Sequence, residues 1–137
     1  MRTTTMHDTV VYSKARDGSI NLTTNFKVKE FACSDGTDPI LIHPFLPFIC
    51  QTVRNKFGVA FTPNSAYRTV NHNEKVGGAS NSNHIYGLAV DIPAVGGVTP
   101  KQLYDYVDEL LGDWGELGIY DWGIHVGVQD TKVRFKG

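Results

Sequence analysis

From Pro44 to Phe57 the apolar residues Phe45, Leu46, Ile49, Cys50, Val53 and Phe57 recur at helical spacing, which predicts an amphipathic helix with one face turned to a core. Prolines at 44 and 47 suit its first turn, and Gly58 suits its end. A second helix is predicted from Pro100, capped by Thr99, with Leu103, Val107, Leu110 and Leu111 as its apolar face. Elsewhere the pattern alternates. "TVVY" at 9–12, "FKVKEF" at 26–31, "VAFTPNSAYR" at 59–68 and "LAVDI" at 88–92 read as strands, as do "ELGIY", "GIHVGV" and "KVRF" after Gly112. "CSDGTDP" at 33–39 is turn chemistry. Residues 71–83, with four Asn, two Gly and two Ser, read as a long loop of the kind that carries function. Extended segments and helices in this order predict an α+β fold, with helices packed on a small antiparallel sheet.

Composition narrows this picture. The chain has 137 residues, enough for one domain with its own core. Residues 1–137 are expected to form that domain, with 1–24 as a loose extension. A formal net charge of −1 provides no bulk attraction to nucleic acid or to an anionic membrane, and neither partner is implied. No apolar run is long enough to span a bilayer. The N-terminal stretch has no apolar region of the signal-peptide kind, so synthesis in the cytoplasm is expected. Cys33 and Cys50 are the only cysteines and lack the spacing of a metal motif. They are expected to be buried free thiols, although a pairing stays open.

Candidate chemistry centres on two stretches. In "WGIHVGVQ", Ile124, Val126 and Val128 fall on one strand face and Gly123, His125 and Gly127 on the other. His125 thus stands between two residues without side chains, which predicts open space around its ring. In "NSNHIYGLAVD", His84 and Asp91 would point to opposite faces of a straight strand. A bend at Gly87 would put His84 on a loop arm, with Ala89 and Asp91 sharing one strand face. Two histidines and a carboxylate form a catalytic zinc set that leaves a position for water. On spacing alone, a solvated loop histidine is the competing reading.

The residues between carry more. Ser82, His84, Gly87, Ala89 and Asp91 spell S-x-H-x-x-G-x-A-x-D. This resembles the signature of the zinc D-Ala-D-Ala carboxypeptidase family, which includes vancomycin-resistance dipeptidases and phage L-alanyl-D-glutamate endopeptidases. "NFKVKEFACSDGTD", "LPFICQTVRNKFG", "SAYRTVNHNEKVGGASNSNH" and "GIYDWGIHVGV" resemble, in order, blocks of its small phage- and prophage-associated branch. The resemblance implies a Hedgehog/DD-peptidase-like α+β domain with a zinc cleft on its sheet, and Zn2+ as cofactor. It implies His84, Asp91 and His125 as ligands and a role for Arg68 in holding a substrate carboxylate or oxyanion. Ser82 would orient a ligand, with an ordinary turn hydroxyl as the alternative. The implied partner is the peptidoglycan stem peptide. The implied setting is the cell wall, reached by phage-type release or as part of a phage particle, and the protein is expected to act as a monomer.

One position departs from the pattern. The small branch more often has H-x-D at its final histidine, and here Gly127 stands where that Asp would be. Other members of the family have an acid three residues before the histidine, where this chain has Trp122. Asp121 is therefore the expected general base, which requires a bend at Gly123, because in a straight strand it would lie roughly 13 Å from His125. Glu116 is a remote second candidate. His7 and His43 are expected bystanders, and His72 is expected to face solvent. Two other readings remain: a zinc- or wall-binding module that has lost its base, and a plain α+β scaffold without metal.

Overall fold

The structure, a computed structural model, describes residues 9–137; His7 lies outside the described residues. Strand β1 (Val10–Ser13) leads into a single turn of helix α1 (Lys14–Asp17), and β2 (Pro39–Ile42) precedes α2 (Phe45–Phe57). Then come α3 (Val70–Lys75), β3 (Ala89–Pro93), α4 (Pro100–Leu111), β4 (Glu116–Tyr120), β5 (Gly123–Gly127) and β6 (Val133–Lys136). Single 3-10 turns stand at Val28–Phe31 and Asn83–Tyr86.

Both long helices begin and end where the sequence predicts. Gly58, in the left-handed region, closes α2 by donating its N–H to the Arg54 carbonyl. At the start of α4, Thr99 and Gln102 cap each other's backbone N–H groups, with Pro100 in the first turn. Leu46, Ile49, Cys50 and Val53 of α2 join Leu103, Val107 and Leu111 of α4 in one core with Val90, Ile92, Leu117, Ile124 and Val126 of the sheet. Cys33 and Cys50 are free and buried, and burial pushes the Cys50 thiol far up. Among the described residues no helix is long and apolar enough to cross a membrane.

The main sheet has the order β3-β5-β4-β6. β3, β5 and β4 are antiparallel, but β6 runs parallel to β4, so the sheet is mixed and not wholly antiparallel. The cause is the short connection after β5. That strand ends beside the start of β4, since Gly127 pairs with Glu116, and the chain rounds this end to begin β6 at Val133, also opposite Glu116. Arg134 fastens the crossing, with Nε donating to Asp108 at 2.6 Å and Nη1 to the Gly115 carbonyl at 2.7 Å.

Four other segments differ from the pattern reading. Where a strand was expected at 26–31, Val28–Phe31 form a 3-10 turn and Lys27 only an isolated bridge to Asn21, because the Glu30 carboxylate accepts the Lys27 N–H at 2.8 Å and coils the segment. Residues 59–68 contribute only an isolated bridge, Ser65 to Asp91, as expected of a stretch in which Pro63 removes a ladder donor. β2 follows directly on the turn-rich stretch that masked it, and it pairs with β1 from Val10–Ile42 to Ser13–Pro39. Residues 10–13 are therefore hydrogen-bonded into a ribbon. Finally, the Asn-rich stretch begins as helix α3, capped by the Thr69 hydroxyl, which accepts from the His72 N–H at 3.1 Å.

Candidate metal centre

Period-two alternation separates the two faces of the sheet. Val90 and Ile92, Ile124 and Val126, and Leu117 turn to the core. Asp91, His125 and Glu116 occupy the opposite face. Asp91 and His125 are direct cross-strand partners, so their side chains must meet on one side. Asp91 Oδ1 lies 2.9 Å from His125 Nδ1.

His84 arrives from the loop arm. The Ser82 hydroxyl accepts the His84 backbone N–H at 3.1 Å and starts the 3-10 turn. Gly87 ends the turn at φ +71° and redirects the chain into β3. The His84 Nδ1 lies 2.6 Å from the Ala66 carbonyl. A carbonyl only accepts, so Nδ1 carries the proton, and Nε2 points at Asp91 Oδ1 from 3.2 Å. In the neutral ring this sets a nitrogen lone pair against a carboxylate oxygen, an arrangement that a cation between them would resolve. One ligand atom from each of His84, Asp91 and His125 falls within 4.8 Å of the others, and all three residues are buried.

Arg68 stands at the edge of this cluster. Its Nη2 is 3.7 Å from Asp91 Oδ2, its Nε donates to the Ser65 hydroxyl at 3.1 Å, and its Nη1 donates to Asn73 Oδ1 at 3.2 Å. Asn73, buried and supplied by α3, also donates to the Ala79 carbonyl at 2.8 Å, tying the arginine to the loop above it. Cluster and arginine lie in a cleft of about 670 Å3. The Gly-Asn loop forms one wall, and Tyr120, Trp122 and Phe135 form the other. Tyr120 and Trp122 stack at 4.8 Å, and Phe135 meets Tyr120 edge-on.

Asp121 is not brought to the cluster. β4 and β5 form a hairpin in which Tyr120 pairs with Gly123, leaving Asp121 and Trp122 as its two-residue turn. Asp121 is exposed there and does not line the cleft. The bend at Gly123 closes the hairpin and does not bring Asp121 into the cleft. Glu116, the remote candidate, is the acid that arrives: its Oε1 lies 2.6 Å from His125 Nε2. No strand-face rule could show this in one segment, because the contact crosses from β4 to β5. The two glycines beside His125 do not leave the open space expected. A Cβ at 123 would stand 2.1 Å from the Ile92 carbonyl oxygen, and one at 127 would stand 2.4 Å from Glu116 Oε1.

The other described histidines, His43 and His72, lie apart from the cluster. His72 Nε2 pairs with the Ser34 hydroxyl at 3.0 Å. His43 is buried at the start of α2, where its Nδ1 accepts the Phe45 N–H at 3.1 Å.

In the metal-free protein the cluster holds a proton. Burial alone would lower the His125 pKa, but hydrogen bonds to Asp91 and Glu116 outweigh it and raise the value to about 9. Asp91 is likewise buried, yet the two histidines lower it to about 2. A histidine raised in the folded state adds stability that is complete below its ordinary pKa and is lost as pH rises through the folded value. The metal-free protein should therefore lose stability between about pH 6.5 and 9, by up to about 1.4 kcal/mol per unit. Denaturant unfolding in chelator across this range checks it, and a flat profile would contradict a protonated His125. On the acid side, the same pairing fails as pH falls toward 2.

A buried His-Asp-His cluster at the floor of a cleft, on the sheet of an α+β domain, is the plan of a metallopeptidase site. The sequence model of the Peptidase M15 family matches residues 21–128, and the chain belongs to this family. No curated protein matches the chain. The family's members are typically zinc-dependent, and the donor set fits: a neutral imidazole with its tautomer fixed by a carbonyl, a carboxylate, and a second imidazole backed by another carboxylate.

Proposed function

We propose that the protein is a zinc-dependent peptidase of bacterial peptidoglycan that hydrolyses a peptide bond involving a D-amino acid in the stem peptide. The observation that carries this reading is the convergence of His84, Asp91 and His125 beside an anchored arginine in one cleft. Zinc held by these three residues supplies an acidified water and a Lewis acid for the scissile carbonyl.

The chain's own residues supply the rest. Arg68 is held by Ser65 and Asn73, so its planar fork meets a substrate carboxylate or a developing oxyanion without first having to be ordered. Glu116 lines the cleft from the outer nitrogen of His125, and would take the role expected of Asp121 through an intervening water. Its Oε1 accepts from Asn83 and His125, while Oε2 has no hydrogen bond among the described residues and remains able to take a proton in the cleft. Two hydrogen bonds to Oε1 hold the Glu116 pKa below the usual range despite burial, which keeps it ionised as a base must be. Ser82 acts through the backbone of His84. We place the action at the cell wall, with release of the kind phage lysis enzymes use, by a monomer whose partner is the stem peptide.

Mass spectrometry of muropeptides before and after digestion with the zinc-loaded protein tests this. The expected result is a product with a new free amine, whose mass also identifies the bond. Gly127, in place of the usual acid, favours a second reading, a wall-binding module without activity. Intact muropeptides bound by zinc-loaded protein would support that module and remove the enzyme.

A further inference from the structure

Gly127 sits two residues after His125 on the same face of β5, directly across from Glu116. Its backbone is not in the positive-φ region, so no conformational demand explains a glycine here. Space does. A Cβ at this position would lie 2.4 Å from Glu116 Oε1, 2.8 Å from Asn83 Nδ2 and 3.0 Å from Glu116 Cβ. The volume a side chain at 127 would fill is already occupied by the Glu116 carboxylate and its amide partner.

That carboxylate is held from two sides. Oε1 accepts from Asn83 Nδ2 at 3.0 Å and pairs with His125 Nε2 at 2.6 Å. Asn83 also donates to Gln129 Oε1 at 3.0 Å, which fixes the amide in turn. Nε2 is the ring nitrogen turned away from the cluster, since Nδ1 faces Asp91. A carboxylate on the far nitrogen of a ligand histidine fixes the ring's rotation and makes the near nitrogen a better donor.

We infer that Glu116 and Gly127 are a matched pair, in which Gly127 leaves the room that lets Glu116 reach across from β4 and position His125. An acid expected on the histidine's own strand is thus supplied by its neighbour. The inference rests on the proposed function in taking His125 as a metal ligand, but it is tested by metal affinity and not by turnover alone.

The test compares the wild-type protein with E116Q, G127A and the double variant, using competition for zinc against a chromogenic chelator. Each single variant should bind zinc roughly 10–100-fold more weakly, the loss typical of an outer-shell partner. The double variant should bind no more weakly than the worse single, because both changes remove the same contact. Alanine suits a strand at least as well as glycine, so G127A should fold, and a thermal melt checks this. The His125 ring N–H proton, followed by NMR in the zinc-loaded protein, should lie at low field in wild type and move upfield in both singles. Unchanged zinc affinity and ring-proton shift in G127A, or losses that multiply in the double variant, would overturn the pair. If these variants behave as expected while muropeptides stay intact, the peptidase reading falls and the pair stands. Cleavage by wild type together with an unaffected G127A keeps the enzyme and removes the pair.

Discussion

Replacing Asp91 with alanine should strip the protein of metal and destabilise the metal-free fold together. Oδ1 of Asp91 is 3.2 Å from His84 Nε2 and 2.9 Å from His125 Nδ1, so it is the group around which both rings are arranged. Losing a direct anionic ligand should weaken zinc binding by well over about 100-fold, more than outer-shell changes typically do. Without metal, the protonated His125 loses one of its two carboxylates. Breaking a buried ion pair costs about 3–5 kcal/mol, and Glu116, still in place, should keep the loss near the lower end. Elemental analysis after purification without chelator, and denaturant unfolding with chelator, read the two effects. Full metal content in the alanine variant would move the metal site elsewhere.

Gly87→Ala should be strongly destabilising for a change of one methyl group near the site. At φ +71°, a Cβ there would meet the Leu41 carbonyl oxygen at 2.4 Å and its carbon at 2.6 Å. Those atoms belong to the backbone of β2 and cannot swing aside. The left-handed conformation costs roughly 1–2 kcal/mol for a residue with Cβ, and the forced contact adds about 1–3 kcal/mol. Gly97→Ala is the control: its φ is +86°, but nothing lies within 4 Å of the added Cβ. The difference between the two denaturation midpoints isolates the contact. Zinc affinity should fall only in Gly87→Ala, because Gly87 ends the turn that aims His84. Equal midpoints would mean that the β2 backbone yields.

What could be read in advance followed from local rules, and what could not depended on contacts between strands. Helices α2 and α4 were legible because their apolar spacing, caps and terminal glycines agree. The same holds for Gly87: a bend was required to bring His84 and Asp91 together, and only glycine takes that bend cheaply. Asp121 misled because strand alternation was extended through a hairpin turn. Glu116 was undervalued because nine residues of chain separate it from His125, while the sheet sets their side chains 2.6 Å apart. The glycines around His125 signalled close approach, not vacancy, a distinction that needs the neighbouring strands. Asn73 looked like one more loop residue until the Thr69 cap turned that stretch into helix and aimed its amide at Arg68.

The outer edge of β3 is closed at Asp91. β5 takes one side, and on the other the Asp91 N–H donates to the Ser65 carbonyl at 2.8 Å while the Asn64 N–H donates to the Asp91 carbonyl at 2.9 Å. A peptide cannot dock beside Asp91 by adding a strand, the mode in which main-chain pairing gives the affinity. Ladder pairing is also what favours a chain of uniform L-residues. With that template closed, the handedness of a bound residue is left to side chains and loop walls to judge.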